Sequence, residues 1–391
     1  MANIIDYLIW RGDVPFSVDP FNEVDALILT ELAYEDYSGI VPDNDHGMEI
    51  GRVAALFRTR HPAEETDARR DFTRQVPPLL MMVGQSPRFA GTTLMHYHNA
   101  LDPSRDMQLA IVSFMLTDGT AFVAYRGTDS TLIGWKEDFV LSYSPETEGQ
   151  RRAVEYLNAR WKDSNVPLRI GGHSKGGNLA MFAAAKCLPE IRSRIRAVYN
   201  NDGPGFLDAF FASEDYRRVV PLIQSTVPED SIVGVLMKNI ARQRVVQSSA
   251  GGFMQHDGFS WQVLGNHFVT KAQRTANSLR MEATILQWLK IQSVSNRRLL
   301  VQIVFDLLKA TGVQTTHDLM ANKAALLSAM RRLQESVPRE QRDTVFDMLG
   351  QFLSIGTGMF ISDVKQEMLS HVPEGLLRDA GKPPEDQSPD E

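Results

Sequence analysis

The chain has 391 residues, 23% charged and 43% hydrophobic, with a formal net charge of −7. That composition excludes a fibrous or low-complexity chain, and the acidic balance argues against nucleic acid or an anionic membrane as a bulk electrostatic partner. Cys187 is the only cysteine, which excludes an intramolecular disulfide and suits a reducing cytoplasm. The first residues carry Asp6 ahead of Arg11-Gly12-Asp13 and do not read as a signal peptide. No apolar run approaches the roughly 20 residues of a membrane span. No transmembrane segment is expected, and a cytoplasmic location is the default.

Residues 1–105 read as a helical and irregular region packing on an α/β core. Phe21 to Tyr37 places Val24, Leu27, Ile28, Leu32 and Ala33 at helical spacing; Ile50 to Phe57 and Pro77 to Val83 come next, the last with proline in its first turn. Leu109 to Leu116 and Ala121 to Tyr125 are β-rich and flank Asp118-Gly119, a hairpin signal. Helix and strand then alternate: Glu148 to Trp161, Leu168 to Gly171, Lys175 to Cys187, Ala197 to Asn201 and Val219 to Ser225. That alternation predicts the α/β core over 106–268, with a mostly parallel central sheet. The β signal stops after Asn266. Apolar stripes at Met281, Ile285, Trp288 and Leu289, and again at Leu326, Met330 and Leu333, predict a helical extension over 269–375. Residues 376–391 form a polar, Pro-containing tail expected to be disordered.

Gly172-His173-Ser174-Lys175-Gly176 is the most informative stretch. An apolar strand precedes it, and a helix rich in small residues comes after it. A strand–turn–helix of this kind holds a serine hydroxyl clear of the sheet, and Ser174 is the expected nucleophile. A serine needs a base to take its proton. His256, in the polar loop Gln255-His256-Asp257-Gly258, is preferred over His267 in Gly265-Asn266-His267-Phe268. His317 and His371 fall in the helical extension and read as solvated. For the acid that orients the histidine, Asp230 after the second strand beyond the elbow ranks first, with Asp202 and Glu229 as alternatives. The backbone N–H of Lys175 and the turn Tyr125-Arg126-Gly127-Thr128, through Thr128, would face a developing oxyanion.

Together these stretches resemble the class 3 (fungal-lipase-like) lipases of the α/β-hydrolase superfamily, and more closely a family of bacterial lipase-like proteins. The likeness rests on Ala124-Tyr125-Arg126-Gly127-Thr128 with Trp135 and Asp138, Gly172 to Ala180, Asn201-Asp202-Gly203-Pro204-Gly205-Phe206, Val227 to Ser231 and Gln255 to Trp261. The opening Asp6-Tyr7-Leu8 and Pro20 to Asp25 extend it, so that it covers about residues 1–270. It implies an α/β-hydrolase fold, a Ser/Asp/His triad, an oxyanion hole at Thr128, and small-molecule or lipid esters as substrates, with no cofactor. One position departs from the pattern. Where well-studied lipases carry an apolar residue this chain has Lys175, expected as a solvated cation able to attract an anionic group on the substrate.

Other signals are weak. His96-Tyr97-His98 lacks companion metal ligands, and Asp43-Asn44-Asp45-His46-Gly47 departs from a calcium loop, so no metal is expected. Met348 to Ile361 is the most apolar piece of the extension and reads as core packing or an oligomer contact. The expected function is hydrolysis of carboxylic esters through an acyl-enzyme. The alternative is a non-catalytic α/β-hydrolase-like scaffold whose helical extension binds a partner protein.

Overall fold

The computed structural model describes residues 2–69, 72–129, 131–239 and 242–310. It opens with α1 (Ile4–Arg11) and α2 (Glu23–Leu32), each begun by a reciprocal cap in which Asn3 or Asn22 accepts backbone N–H groups and Asp6 or Asp25 returns the bond. Next come β1 (Met48–Glu49), α3 (Ile50–Arg60), α4 (Ala63–Asp67) and α5 (Val76–Gln85). Strands β2 (Thr93–Asp102), β3 (Met107–Met115) and β4 (Ala121–Tyr125) form an antiparallel meander. Helix and strand then alternate through α6 (Leu132–Val140), α7 (Glu148–Trp161), β5 (Leu168–His173), α8 (Lys175–Lys186), α9 (Pro189–Arg192) and β6 (Ile195–Asn201). They continue through α10 (Asp208–Phe211), α11 (Glu214–Val219), β7 (Ile223–Pro228) and β8 (Gln243–Val246). A ribbon of β9 (Val263–Leu264) and β10 (His267–Phe268) leads to β11 (Thr270–Lys271), α12 (Ala276–Ile291) and α13 (Val294–Ala310).

One sheet runs β1-β2-β3-β4-β5-β6-β7-β8-β11. It is parallel from β4 to β8 and antiparallel on both flanks. Parallel strands placed side by side in chain order have right-handed crossovers that all fall on one face. Accordingly α7, α8, α10 and α11 share one apolar core, through Leu157, Trp161, Leu179, Phe182, Phe210 and Tyr216. The opposite face is covered by the N-terminal helices, whose Val24, Leu27, Ile28, Phe57 and Leu80 pack against Val112, Phe114, Phe122 and Ala124 of β3 and β4.

Several expectations shift. Residues 93–102, expected as irregular chain, form β2 and belong to the sheet, so the expected boundary at 105 falls in the β2–β3 connection. The reason is a register shift between Met95 and His98, with His96 at φ 54°, which erases the alternation that would have marked a strand. The strand expected from Val219 starts at Ile223, because Val219 closes α11. Short strands also persist beyond Asn266, in β10 and β11. Helices α12 and α13 fall in the expected extension; the rest of that expectation, including the Leu326 stripe, Met348 to Ile361, His317, His371 and the tail, lies outside the described residues.

The N-terminal layer is pinned by a buried ion pair. Arg88 meets Asp25 through Nε (2.7 Å) and Nη2 (2.5 Å), and both side chains are fully buried. Arg88 Nη1 also donates to the carbonyls of Val14 (2.8 Å) and Asp19 (3.0 Å), while Tyr7 donates to Asp25 (3.0 Å). Removing one partner strands the other, at a cost of about 3–5 kcal/mol, whereas apolar replacement of both is close to neutral. Chemical denaturation should therefore show Arg88→Met strongly destabilised and the double variant Asp25→Leu/Arg88→Met largely restored; equal destabilisation of the two would contradict a stranded-charge origin.

Candidate active site

The site lies at the C-terminal ends of β4, β5 and β6. Ser174 separates β5 from α8 with φ 57° and ψ −135°, a strained conformation for a residue with a side chain. It is held by its N–H donating to the Asn201 carbonyl (2.9 Å). The turn needs glycine: a Cβ on Gly172 would lie 2.1 Å from the Gly176 carbonyl carbon. A Cβ on Gly127 would lie 3.0 Å from the Ser174 Cβ, so the loop after β4 passes directly against the serine.

His256 closes a 3₁₀ turn, Gly252–His256, and its Nδ1 lies 2.7 Å from Asp202 Oδ2. Asp202 is fully buried, and its other oxygen accepts from Ser231 Oγ (2.5 Å) and the Gly234 N–H (3.1 Å). A carboxylate only accepts, so Nδ1 carries hydrogen and Nε2 is the nitrogen left for proton exchange. This corrects the order expected from sequence: Asp202, not Asp230, meets the histidine. Asp230 instead accepts from Thr275 Oγ1 (2.5 Å) and Asn277 Nδ2 (3.3 Å) at the start of α12. Strand register gives the reason. His173 pairs with Asn201, so Asp202 is level with Ser174, while Asp230 lies beyond the end of β7. Glu229 faces Lys271 Nζ at 3.6 Å. His267 is exposed on β10, with Nδ1 3.4 Å from Asn266 Oδ1.

Lys175 also departs from expectation. Its side chain is 1% exposed, and Nζ donates to Glu137 Oε2 (2.8 Å) and to the Gln108 carbonyl (3.2 Å). It is therefore not a solvated cation available to a substrate anion. Buried among small residues at the start of α8, it reaches α6, where Glu137 also accepts from the N–H groups of Gly149 (2.9 Å) and Gln108 (3.2 Å). As the first residue of α8, Lys175 has no acceptor within the helix for its own N–H. Next to Glu137, Asp138 accepts from Thr128 Oγ1 (2.6 Å) and keeps Oδ1 buried without a hydrogen-bond partner. Burial pushes the Asp138 carboxyl up to about 6, against the pull of Lys175 and the Thr128 bond.

Sequence reading missed the contribution of the N-terminal helix. Thr30 Oγ1 accepts from Asn201 Nδ2 (3.2 Å), and Tyr34 Oη lies 3.1 Å from His173 Nδ1. The unbroken burial of α2, apart from Glu23, is the signal for such a role, because the polar groups of a helix enclosed on all sides must find partners. His96 and His98 are not a pair: they face Asp45 (2.7 Å) and Asp43 (3.6 Å) separately, and Arg160 also meets Asp43 (2.7 Å). Among the described residues no cluster of three His, Cys, Asp or Glu side chains could hold a metal, and no helix is long and apolar enough to cross a membrane.

Comparison with known proteins gives a sequence match and a structural likeness. No curated protein matches the sequence. A solved structure titled "Crystal structure of M37 lipase" is similar over 55% of this chain and 69% of that one, at 15% identity and a TM-score of 0.33. The Mbeg1-like family model matches residues 83–306, a span that runs from the end of α5 through the elbow, Asp202 and His256 into α13. That span is more than half of the chain, and the protein belongs to the Mbeg1-like family, a lipase-like family.

Proposed function

We propose that this protein is a serine hydrolase of carboxylic esters on an α/β-hydrolase fold. The observation that supports it most is the conjunction of a strained Ser174 with a half-buried His256 held by the fully buried Asp202, the His256 ring lying 4.6 Å from the ring of His173, the residue before the serine. In this reading His256 Nε2 takes the proton as Ser174 Oγ attacks the acyl carbon. Asp202 steadies the imidazolium, and the alcohol leaves with that proton. Water, activated by the same imidazole, then releases the acid.

The oxyanion would be met by the N–H groups of Lys175 and Thr128. The Thr128 hydroxyl is turned away from this task while Asp138 is ionised, because its proton is held by the carboxylate. Membership of a lipase-like family supports an ester substrate, lipid or smaller.

Three outcomes are expected. A fluorophosphonate probe labels the wild-type protein but not Ser174→Ala, and p-nitrophenyl ester turnover disappears with the label; labelling and turnover that persist in Ser174→Ala would remove the proposal. Asp202→Asn lowers kcat by about 10³–10⁴-fold while Asp230→Asn stays near wild type, since only the former changes the hydrogen that Nδ1 must carry; the reverse order would reinstate Asp230.

The third outcome concerns pH. A carboxyl raised in the fold costs stability as soon as the unfolded chain ionises it and the fold does not, and the cost stops growing once both are ionised. The stability of Asp138→Asn relative to wild type should therefore rise as pH increases from about 4 to about 6 and level off above that. A pH-independent difference in thermal midpoint would show that Asp138 ionises freely.

A further inference from the structure

We propose that His173 is a positioning residue for the reaction, holding the segment that carries His256 through a main-chain hydrogen bond. The inference rests on the serine hydrolase reading. His173 Nε2 lies 2.7 Å from the carbonyl oxygen of His256. A carbonyl only accepts, so Nε2 carries hydrogen. Nδ1 then has a lone pair, and the Tyr34 hydroxyl at 3.1 Å donates to it. Both ring nitrogens are thus satisfied in one neutral tautomer.

The surroundings keep the ring in that state. His173 is 2% exposed, and burial pushes its protonation well below the ordinary histidine range. Glu31 Oε1 approaches Nδ1 only to 3.7 Å and has no hydrogen-bond partner. Burial, with Asp257 nearby, pushes the Glu31 carboxyl well above its usual range, and the shorter contact makes Tyr34 the hydrogen-bond partner of Nδ1. The two imidazoles lie with centroids 4.6 Å apart at 32°. A neutral ring beside His256 adds no like charge when His256 becomes an imidazolium during the reaction.

His173 therefore ties two parts that must stay in register. Its backbone continues directly into Ser174, and its ring grips the chain at the base. Tyr34 and Glu31 lie outside the stretch matched by the family model, so the device joins the N-terminal layer to the hydrolase core.

The test uses the full chain with His173→Leu, which fills the space without donating, and His173→Gln, whose amide can still donate to the His256 carbonyl. In the folded proteins, His173→Leu should lower kcat on a p-nitrophenyl ester by about 10–100-fold with KM little changed, the scale expected when a reacting group is misplaced by about 1 Å. His173→Gln should recover most of that loss. Unchanged kcat in folded His173→Leu overturns the proposal, and so does equal impairment of both variants, which would mean that ring packing alone matters.

Should the variants not fold, nitrogen-15 NMR of the wild-type histidines decides. A neutral Nε2–H tautomer for His173 at pH 7 supports the proposal, and an Nδ1–H or doubly protonated ring overturns it. A wild-type protein that takes no fluorophosphonate at Ser174 and cleaves no ester would instead overturn the hydrolase reading. The NMR result would still report on the His173 bond.

Discussion

Strands β4 to β8 lie side by side in chain order and run parallel, and the rest of the molecule depends on that arrangement. Right-handed crossovers put every connecting helix on one face, leaving the opposite apolar face to be covered by something outside the alternating section. The N-terminal helices supply that cover, fastened by Arg88 and Asp25. Because α2 lies across β5, its C-terminal end arrives at the point where the elbow turns. Thr30, Glu31 and Tyr34 therefore abut Asn201 and His173, and the layer that closes the core also completes the surroundings of the site.

A site enclosed in this way has little water to solvate charge, so each ionisable group must be paired or neutral. Both solutions occur within a few residues of one another. Asp202 gathers His256, Ser231 and a main-chain N–H; Lys175 and Glu137 form an ion pair shared with further donors. Glu31 and His173 take the neutral route, since burial pushes the acid up and the imidazole down. The result leaves the carboxylate of Asp202 directed at Nδ1, which is what the proposed base requires at Nε2.

What the sequence made legible is local. The elbow reads because its strand, glycines and small-residue helix are contiguous, and the Asp118-Gly119 hairpin reads because two residues decide it: Gly119 sits at φ 78° between β3 and β4. Which carboxylate meets His256 did not read, because it depends on which residue of β6 or β7 is level with Ser174, and register is a property of paired strands. β2 was lost to a single bulge at His96. The fate of Lys175 was lost because its partner, Glu137, lies on another helix: a lysine flanked by small residues is either exposed or matched by a buried carboxylate, and the flanking chain does not say which.

The ion pair of Lys175 with Glu137 bears on the proposed oxyanion donors. A buried lysine and glutamate contribute no more stability than well-packed apolar residues of similar volume, so the pair at 175 and 137 is not explained by stability. Orientation explains it better. Glu137 and Asp138 are consecutive on α6; the first grips the side chain of the residue after the serine, and the second grips Thr128. Both proposed oxyanion donors are thereby referred to the same turn of one helix. An apolar side chain at 175 could fill the space and still let α6 slide against α8. A charge-assisted hydrogen bond of 2.8 Å, with further donors fixing the carboxylate, makes such sliding costly. If the Lys175 and Thr128 amides are the oxyanion donors, as proposed, side-chain bonds to consecutive residues of α6 would help to preorganise them.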